Sequence, residues 1–366
     1  MPNLLRRNER AIAMAAAGAE RARLLAQRVT LLARHWHTDE LPQALRAAES
    51  AVRELGDARA GAELELARGV AAYYGAEVDA AAAPVQRALD AATDTGDVGL
   101  QAECEAWLGC IHGTLQREPV QVLGHLRRAV RLGQPHRPLA VARALYVVAT
   151  LYQEAELMDQ SVRHYRRATL IARRENDEQL LAALHRYMTL AQVQQVRRAR
   201  AAGRLDQEQL KQSLAGLGSA QQLTAVLAGE DASVQFGLRQ GEMLRLAGEH
   251  ERAIEVLDAV VDRAARAGMT WEATIARADH AVCLAHGGRL LDAHRIGALA
   301  ESELEPGYAD YARAVVHDSL AELAGLLGRA DRQARHAALA RGAWDADADY
   351  CRRLREALLA QGPLTD

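Results

Sequence analysis

Residues 138–177 read PLAVARALYVVATLYQEAELMDQSVRHYRRATLIARREND, and this stretch decides the fold. Apolar and small residues recur every three to four positions from Ala142 to Tyr152, and again from Ser161 to Ala168, on either side of a break at residues 156–159. Positions with this spacing share one face of an α-helix. The stretch therefore predicts two amphipathic helices joined by a short turn.

The same unit recurs along the chain with a period of forty residues. The pair Gly56-Asp57 returns as Gly96-Asp97 and, in a near copy, as Asn176-Asp177, while His136-Arg137 occupies the intermediate position. Self-similarity at a fixed period of this length is the sequence signature of a repeat architecture. We therefore expect an array of paired helices and no β-sheet.

The alternation of small and large residues carries a resemblance to a known repeat family. Ala149, Ser161 and Ala168 would let paired helices approach closely, whereas Tyr152 and Tyr165 would fill the space between units. The skeleton recurs at Gly69, Tyr73, Ala81 and Ala88, at Trp107-Leu108-Gly109, at Gly241, Ala253 and Leu257, and at Ala281 and Ala293. Over residues 20–345 the chain resembles a tetratricopeptide repeat protein, in a variant longer than the usual repeat. The resemblance implies an all-α superhelical solenoid of about eight helix-turn-helix units, with residues 1–19 as an N-terminal helical cap.

One segment departs from the forty-residue register. The spacing stretches between residues 178 and 231, and the extra residues fall at about 197–231. They could form lengthened helices and a loop, or a hinge between two sub-arrays. Insertions in repeat arrays often lie on the binding face, although a solvated loop is the simpler interpretation.

Charge and cysteine usage exclude several functional classes. The net charge is −3 and Lys211 is the only lysine, so the chain has no basic block that predicts nucleic-acid binding. None of the four cysteines forms a CxxC pair, which is typical of a protein from a reducing compartment. The apolar stretch at residues 11–19 is short for a signal peptide, and no segment is apolar enough to span a membrane. We expect a cytoplasmic protein that binds neither nucleic acid nor membrane.

No catalytic or metal-binding pattern is present in the sequence. It contains no GxSxG elbow, no phosphate-binding Walker loop and no HExxH pair. His35 and His37 are two residues apart and would diverge on a helix, and in His280, Cys283 and His286 only neighbours could share a metal. We therefore predict no catalytic residue, no metal and no cofactor for residues 1–366.

The family resemblance implies a ligand groove lined by the first helix of each repeat. The family's groove positions fall on polar residues of both charge signs, with arginines that could clamp a carboxylate of a peptide or protein partner. An ordinary solvated helix face is the alternative. The candidate groove residues are Arg23, Arg34, Glu63, Tyr73, Arg143, Tyr146, Gln153, Glu154, Arg186, Gln194, Gln235, Glu242 and Arg245.

The last segment, residues 346–366, predicts a separate C-terminal helix. Asp345, Asp347 and Asp349 look like first-turn charges, and the helix would then run from Tyr350 to Gln361. An apolar stripe of Tyr350, Leu354, Ala357 and Leu358 could cap the last repeat or pair with a second chain, which predicts a homodimer.

The chain ends Gly362-Pro363-Leu364-Thr365-Asp366, which resembles the opening of a diguanylate cyclase catalytic domain. The family's Gly-Gly-Asp/Glu-Glu-Phe signature is absent, so no catalytic residue carries over. The resemblance implies a sensory and oligomerising module ahead of a domain that joins two GTP into cyclic di-GMP. Two other hypotheses share the same fold: a stand-alone adaptor, and the repeat region of a transcriptional regulator or peptide receptor.

Overall fold

A computed structural model describes residues 3–35, 37, 39–75, 77–134, 136–206, 208, 210, 211, 213–215, 217 and 229–362, without the side chains of residues 3, 186–189 and 229–233. Within these ranges the regular secondary structure is entirely α-helical. This confirms the predicted all-α class.

The helices divide between two compact units. Unit 1 comprises residues 1–184 and 353–366, and unit 2 comprises residues 185–352. The helices that begin in unit 1 are α1 (Asn3–Met14), α2 (Ala19–Arg34), α3 (Leu41–Leu55), α4 (Ala58–Tyr74), α5 (Val78–Asp94), α6 (Val98–Thr114), α7 (Pro119–Gly133), α8 (Pro138–Glu154), α9 (Met158–Arg174) and α10 (Glu178–Ala201). Those that begin in unit 2 are α11 (Gly229–Leu246), α12 (His250–Arg266), α13 (Thr270–His286), α14 (Leu290–Ser302), α15 (Asp310–Leu326) and α16 (Ala330–Gln361).

The forty-residue period is visible in where the helices begin. The first helices of successive pairs begin at Ala58, Val98, Pro138 and Glu178 in one series, and at Thr270 and Asp310 in the other. The second helices of unit 2 begin at His250, Leu290 and Ala330. Each step is forty residues, which confirms the predicted array of paired helices.

The repeated dipeptide is a helix stop followed by a helix start. Gly56, Gly96 and Asn176 adopt left-handed φ angles of 65°, 68° and 55°, which end the preceding helix. The carboxylates of Asp57, Asp97 and Asp177 then accept hydrogen bonds from the backbone N–H groups of Ala60 (2.8 Å), Leu100 (3.0 Å) and Leu180 (2.8 Å). At the intermediate position Arg137 offers no such acceptor, and α8 begins with Pro138 at its first turn instead.

Small residues hold paired helices close, as the pattern predicts. A Cβ atom on Gly69 of α4 would lie 2.9 Å from the carbonyl oxygen of Ala81 in α5. In the fourth pair the Ser161 hydroxyl donates to the Ala149 carbonyl oxygen at 2.8 Å. Both positions lie on the seam between the two helices of one repeat.

The irregular segment is partly a lengthened helix. α10 runs for 24 residues to Ala201, and its first residues belong to unit 1 and the rest to unit 2. The boundary between the units falls at residues 184 and 185, ahead of the predicted hinge at 197–231. Most of residues 207–228 lie outside the described part of the chain.

The expected start of a separate C-terminal helix at residues 345–349 is wrong. These residues lie inside α16, which continues without a break from the last repeat to Gln361. Asp347 is buried, and its two carboxylate oxygens accept hydrogen bonds from the Arg198 guanidinium at 2.7 and 2.9 Å. The three aspartates were predicted to be first-turn charges because their spacing does not reveal that Asp347 has a buried partner, Arg198.

The apolar stripe near the C-terminus is covered by the chain itself. Tyr350, Leu354 and Leu358 are buried and Ala357 is half-buried. Within unit 1 the Arg355 guanidinium donates to the Ala155 carbonyl oxygen at 2.7 Å. Pairing of this stripe with a second chain stays a prediction, and the motif at residues 363–366 lies outside the described residues. Among the helices described, none is both long and apolar enough to cross a membrane.

Candidate functional site

In unit 1, equivalent positions of successive first helices lie side by side. Arg23 of α2 and Glu63 of α4 are forty residues apart, and their Nη2 and Oε1 atoms are 3.5 Å apart. Arg137, at the start of α8, lies 3.4 Å from the Glu63 carboxylate and 3.5 Å from that of Glu103. We call this row of side chains, completed by Arg34, Tyr73, Trp107, Arg143 and Asp177, the polar face of unit 1.

A buried ion pair joins the first and last helices of this face. Nη2 of Arg34 lies 2.9 and 2.7 Å from the two carboxylate oxygens of Asp177, and both side chains are almost inaccessible. Burial alone would raise the pKa of Asp177, but the adjacent guanidinium holds it below its ordinary value. Asp177 therefore has two structural roles, because it also caps α10.

A second arginine of this face has no acceptor. The Arg143 guanidinium carbon lies 4.0 Å from the centroid of the Trp107 ring, and the residue is 5% exposed. Among the described residues Arg143 makes no hydrogen bond and no ion pair. Burial, and then the like charge of Arg34, lower its pKa below the ordinary arginine value. Trp107 is also buried, and its Nε1 donor finds no acceptor in the described part of the chain.

Aromatic and hydroxyl groups surround this arginine–indole stack. Tyr73 and Tyr74 meet the Trp107 ring edge-on, with ring centroids 5.7 and 6.0 Å away. The Tyr73 hydroxyl lies 3.2 Å from Thr114 Oγ1 and accepts a weak hydrogen bond from Cys110 Sγ at 3.6 Å. The stack is therefore held from several sides by neighbouring first helices.

Unit 2 contains its own buried charge network. Arg197 of α10 donates to the Glu242 carboxylate at 3.1 Å and also to Asp279. Asp279 accepts a further hydrogen bond from the Ser319 hydroxyl at 2.8 Å, forty residues along the chain. Arg239 also pairs with Glu242. Side chains of α11, α13 and α15 thus lie together in one charge network, and Arg239, Asp279 and Ser319 within it are forty residues apart.

Arg245 extends the network of unit 2. Its guanidinium lies 3.3 Å from Asp279 and 2.9 Å from Glu322. Burial would raise the pKa of Glu322, but Arg245 and then Arg200 hold it below its ordinary value. Every charged side chain named in this network has a partner of opposite charge within the chain, so the network needs no bound ion to balance its charges.

The structure divides the thirteen predicted groove residues into three groups. Arg34, Glu63, Arg143, Tyr146, Glu242 and Arg245 are buried. Arg23, Tyr73, Gln153, Glu154, Gln194 and Gln235 are half-buried and retain access to solvent. The side chain of Arg186 lies outside the described residues. Arg34, Glu63, Glu242 and Arg245 of the first group form ion pairs within the chain, and ligand contact by any of the thirteen residues stays a prediction.

Sequence reasoning did not single out four residues that shape these clusters: Trp107, Asp177, Arg197 and Asp279. Trp107 belongs to the helix signature and Asp177 to the forty-residue grid, so the sequence pattern marks both residues as structurally important. Arg197 lies at the edge of the apparent insertion. The forty-residue period is interrupted there, so it does not predict which residue Arg197 pairs with. Within the described residues no group of three histidine, cysteine or acidic side chains is placed to hold a metal ion.

Comparison with known proteins supports the fold. No family model matches the chain, and no curated protein matches it either. Among solved structures, a Rap protein complexed with Competence and Sporulation Factor is similar over 95% of this chain and 92% of its own, at 14% identity and a TM-score of 0.66. A circular tandem repeat protein with a novel repeat topology aligns over 98% of this chain and 100% of its own, at 16% identity, but its TM-score of 0.29 supports no conclusion. The similarity to the Rap protein, together with the forty-residue helix pairs, shows that the chain has a tetratricopeptide-like helical repeat fold.

Proposed function

We propose that this chain is a peptide- or protein-binding repeat module, and that it binds its partner along the polar face of unit 1. The observation that carries the proposal is the alignment of equivalent first-helix positions, seen in the contact of Arg23 with Glu63 and in Arg137, which lies against both of the equivalent residues Glu63 and Glu103. Such a row gives an extended, regularly spaced set of side chains, which repeat arrays use to bind elongated partners. The similarly folded Rap protein, crystallised with a bound factor, supports the same interpretation.

In the fuller form of the proposal, the module is the cytoplasmic regulatory part of a diguanylate cyclase and acts as a homodimer. Support comes from the sequence resemblance at residues 362–366 and from the long α16, whose last residues lead directly to that motif. A partner bound to the repeats would change the position or pairing of this helix and so alter cyclic di-GMP synthesis. Residues 1–366 would bind and would make no cyclic di-GMP themselves.

The binding proposal is tested by selecting peptides from a displayed random library on the immobilised chain. The best peptide is then titrated calorimetrically against two matched variants. Arg23→Gln removes a half-buried charge of the polar face, whereas Arg166→Gln makes the same change at an exposed position of the second helix α9. We expect at least a tenfold loss of affinity for the first variant and none for the second. Failure to enrich any peptide, or equal losses in both variants, would contradict the proposal.

The regulatory proposal needs the full reading frame beyond Asp366. Cyclic di-GMP formation from GTP is measured for that protein with and without the selected peptide, and for residues 1–366 alone. We expect a peptide-dependent rate in the first case and no product in the second. If the longer protein makes no cyclic di-GMP, the regulatory proposal is wrong, and the binding proposal is unaffected.

A further inference from the structure

We infer that the outer face of α9 is a second interaction surface, and that it binds an acidic segment of a partner protein. This surface, called here the basic face of α9, comprises Arg163, Arg166, Arg167, Leu170, Arg173 and Arg174. It lies on the second helix of its pair, whereas the polar face of unit 1 is built on first helices, so the inference goes beyond the proposed function.

The spacing of these residues places them on one side of the helix. They follow Arg163 at intervals of three, four, seven, ten and eleven positions, which form a single stripe about 16 Å long. Four of the arginines are exposed, and the fifth, Arg167, is half-buried. The opposite side of α9, which includes Tyr165 and Ala172, is buried, so the stripe is the part of the helix that faces solvent.

The charge of α9 is strongly unbalanced. The helix contains five arginines and one acidic residue, Asp159, which is the largest excess of either charge in any of the helices described. The net charge of −3 for the whole chain conceals this local excess. Like charges three or four residues apart on a helix repel each other, as between Arg163 and Arg167, so this set of arginines does not stabilise α9 itself.

The chain supplies no counter-charge to the basic face. Among the described residues no carboxylate lies within ion-pair distance of its five guanidinium groups. Exposed arginines of other helices do have partners: Arg87 of α5, for example, lies 2.7 Å from Glu65. The positive charge also acts on a neighbouring side chain, since burial lowers the pKa of His164, and Arg167 and Arg163 lower it further. The basic face is therefore open to an anionic partner.

Exposed apolar residues indicate the class of partner. Leu170 is 56% exposed and lies one helical turn from arginines on either side, and Val162, beside the stripe, is also exposed. A protein segment that carries both acidic and apolar side chains would pair its carboxylates with the guanidinium groups and cover Leu170. The backbone of a nucleic acid offers phosphates but no aliphatic side chain. Charge and exposed apolar surface together favour an acidic protein segment.

The inference is tested with a synthetic acidic probe. A fluorescently labelled peptide of glutamate and leucine, as long as residues 163–174, is titrated with the full chain at constant ionic strength, and its anisotropy is followed. We expect saturable binding that the double variant Arg163→Gln with Arg166→Gln weakens at least tenfold. The matched control is Arg263→Gln with Arg266→Gln, which makes the same changes at the same spacing on exposed positions of the second helix α12 and should leave binding unchanged.

Two further comparisons test the class of partner. Leu170→Ser should weaken binding of the glutamate–leucine peptide at least threefold and leave binding of a glutamate–serine peptide unchanged. A single-stranded oligonucleotide with the same number of negative charges should bind at least tenfold more weakly than the glutamate–leucine peptide. No binding of that peptide, equal losses in the two double variants, or tighter binding of the oligonucleotide would overturn the inference.

The same variants separate this surface from the polar face of unit 1. Arg23→Gln should weaken the library-selected peptide and leave the glutamate–leucine peptide bound, whereas Arg163→Gln with Arg166→Gln should do the opposite. Binding of the glutamate–leucine peptide with no peptide enriched from the library would support the basic face and contradict the proposed function. Binding of a selected peptide alone would support the proposed function and overturn the inference about α9.

Discussion

At the scale of single residues, the two glycines of α4 show what the repeat demands. Gly61 and Gly69 lie in the same helix, but a Cβ atom on Gly61 would meet nothing within 4 Å, whereas one on Gly69 would contact Val85 and lie 2.9 Å from the Ala81 carbonyl oxygen. Close approach of α4 and α5 therefore depends on the missing side chain at one position only. The other glycine has no packing role of this kind.

This difference predicts opposite effects for the same substitution. Gly69→Ala should lower the free energy of unfolding by about 1–3 kcal/mol, because the added methyl group overpacks a seam that includes backbone. Gly61→Ala should raise it by up to about 1 kcal/mol, because alanine is the better helix former. Urea unfolding followed by circular dichroism measures both. Equal effects in the two variants would mean that α4 and α5 are not packed as described.

At the scale of helices, the aspartates that begin α4 and α10 look identical in sequence and differ in what surrounds them. Asp57 accepts one backbone hydrogen bond at the start of α4. Asp177 accepts the equivalent bond at the start of α10, and it also holds the buried Arg34 guanidinium. The first is a helix cap, while the second is a cap and the anchor of a buried charge.

Replacing each aspartate with alanine separates the two roles. Asp57→Ala should cost about 1 kcal/mol, the usual value for losing an N-cap. Asp177→Ala should cost about 3–5 kcal/mol, since it also leaves Arg34 buried without a counter-charge. The difference in urea unfolding free energy is the test, and the double variant Asp177→Ala with Arg34→Met should recover part of the loss. Costs of similar size would show that the ion pair adds nothing to the cap.

The pattern of helices was accessible from the sequence because local rules determine it. Apolar spacing, the Gly-Asp or Asn-Asp stop-and-start pair and the small seam residues each act within a few residues, so the period of forty and the paired helices could be predicted. The continuous α16 could not, because Asp345 and Asp349 resemble first-turn charges until the buried bond of Asp347 to Arg198 is known. The predicted groove positions lie on the first helices of their pairs. Their burial could not be predicted, because it depends on contacts more than a hundred residues away, such as Arg34 with Asp177.

At the scale of the whole molecule, the chain forms two compact units that share helices. α10 supplies residues to unit 1 up to Leu184 and to unit 2 from His185. α16 supplies residues to unit 2 up to Arg352 and to unit 1 from Arg353. Because a helix propagates cooperatively from turn to turn, these two shared helices connect the stability of one unit to that of the other.

Shared helices predict coincident unfolding of the two units. Variants that retain only Trp107 report on unit 1, and variants that retain only Trp271 report on unit 2. We expect both fluorescence signals to follow the same urea transition, and we expect Gly69→Ala in unit 1 to lower both midpoints together. Two separate transitions, with only the Trp107 midpoint lowered, would show that the units unfold independently.

The bond between Arg34 and Asp177 also bears on how the protein is made. The two residues are 143 positions apart, so α2 emerges from the ribosome long before the carboxylate that neutralises its buried guanidinium has been synthesised. Forming so distant a contact is slow, and domains larger than about 100–150 residues commonly fold through intermediates. Until then Arg34 has no counter-charge, and burying its guanidinium unpaired would cost several kcal/mol. The N-terminal helices therefore gain this contact only after about half of the chain has been made, and unit 1, which also contains residues 353–366, is completed only near the end of translation.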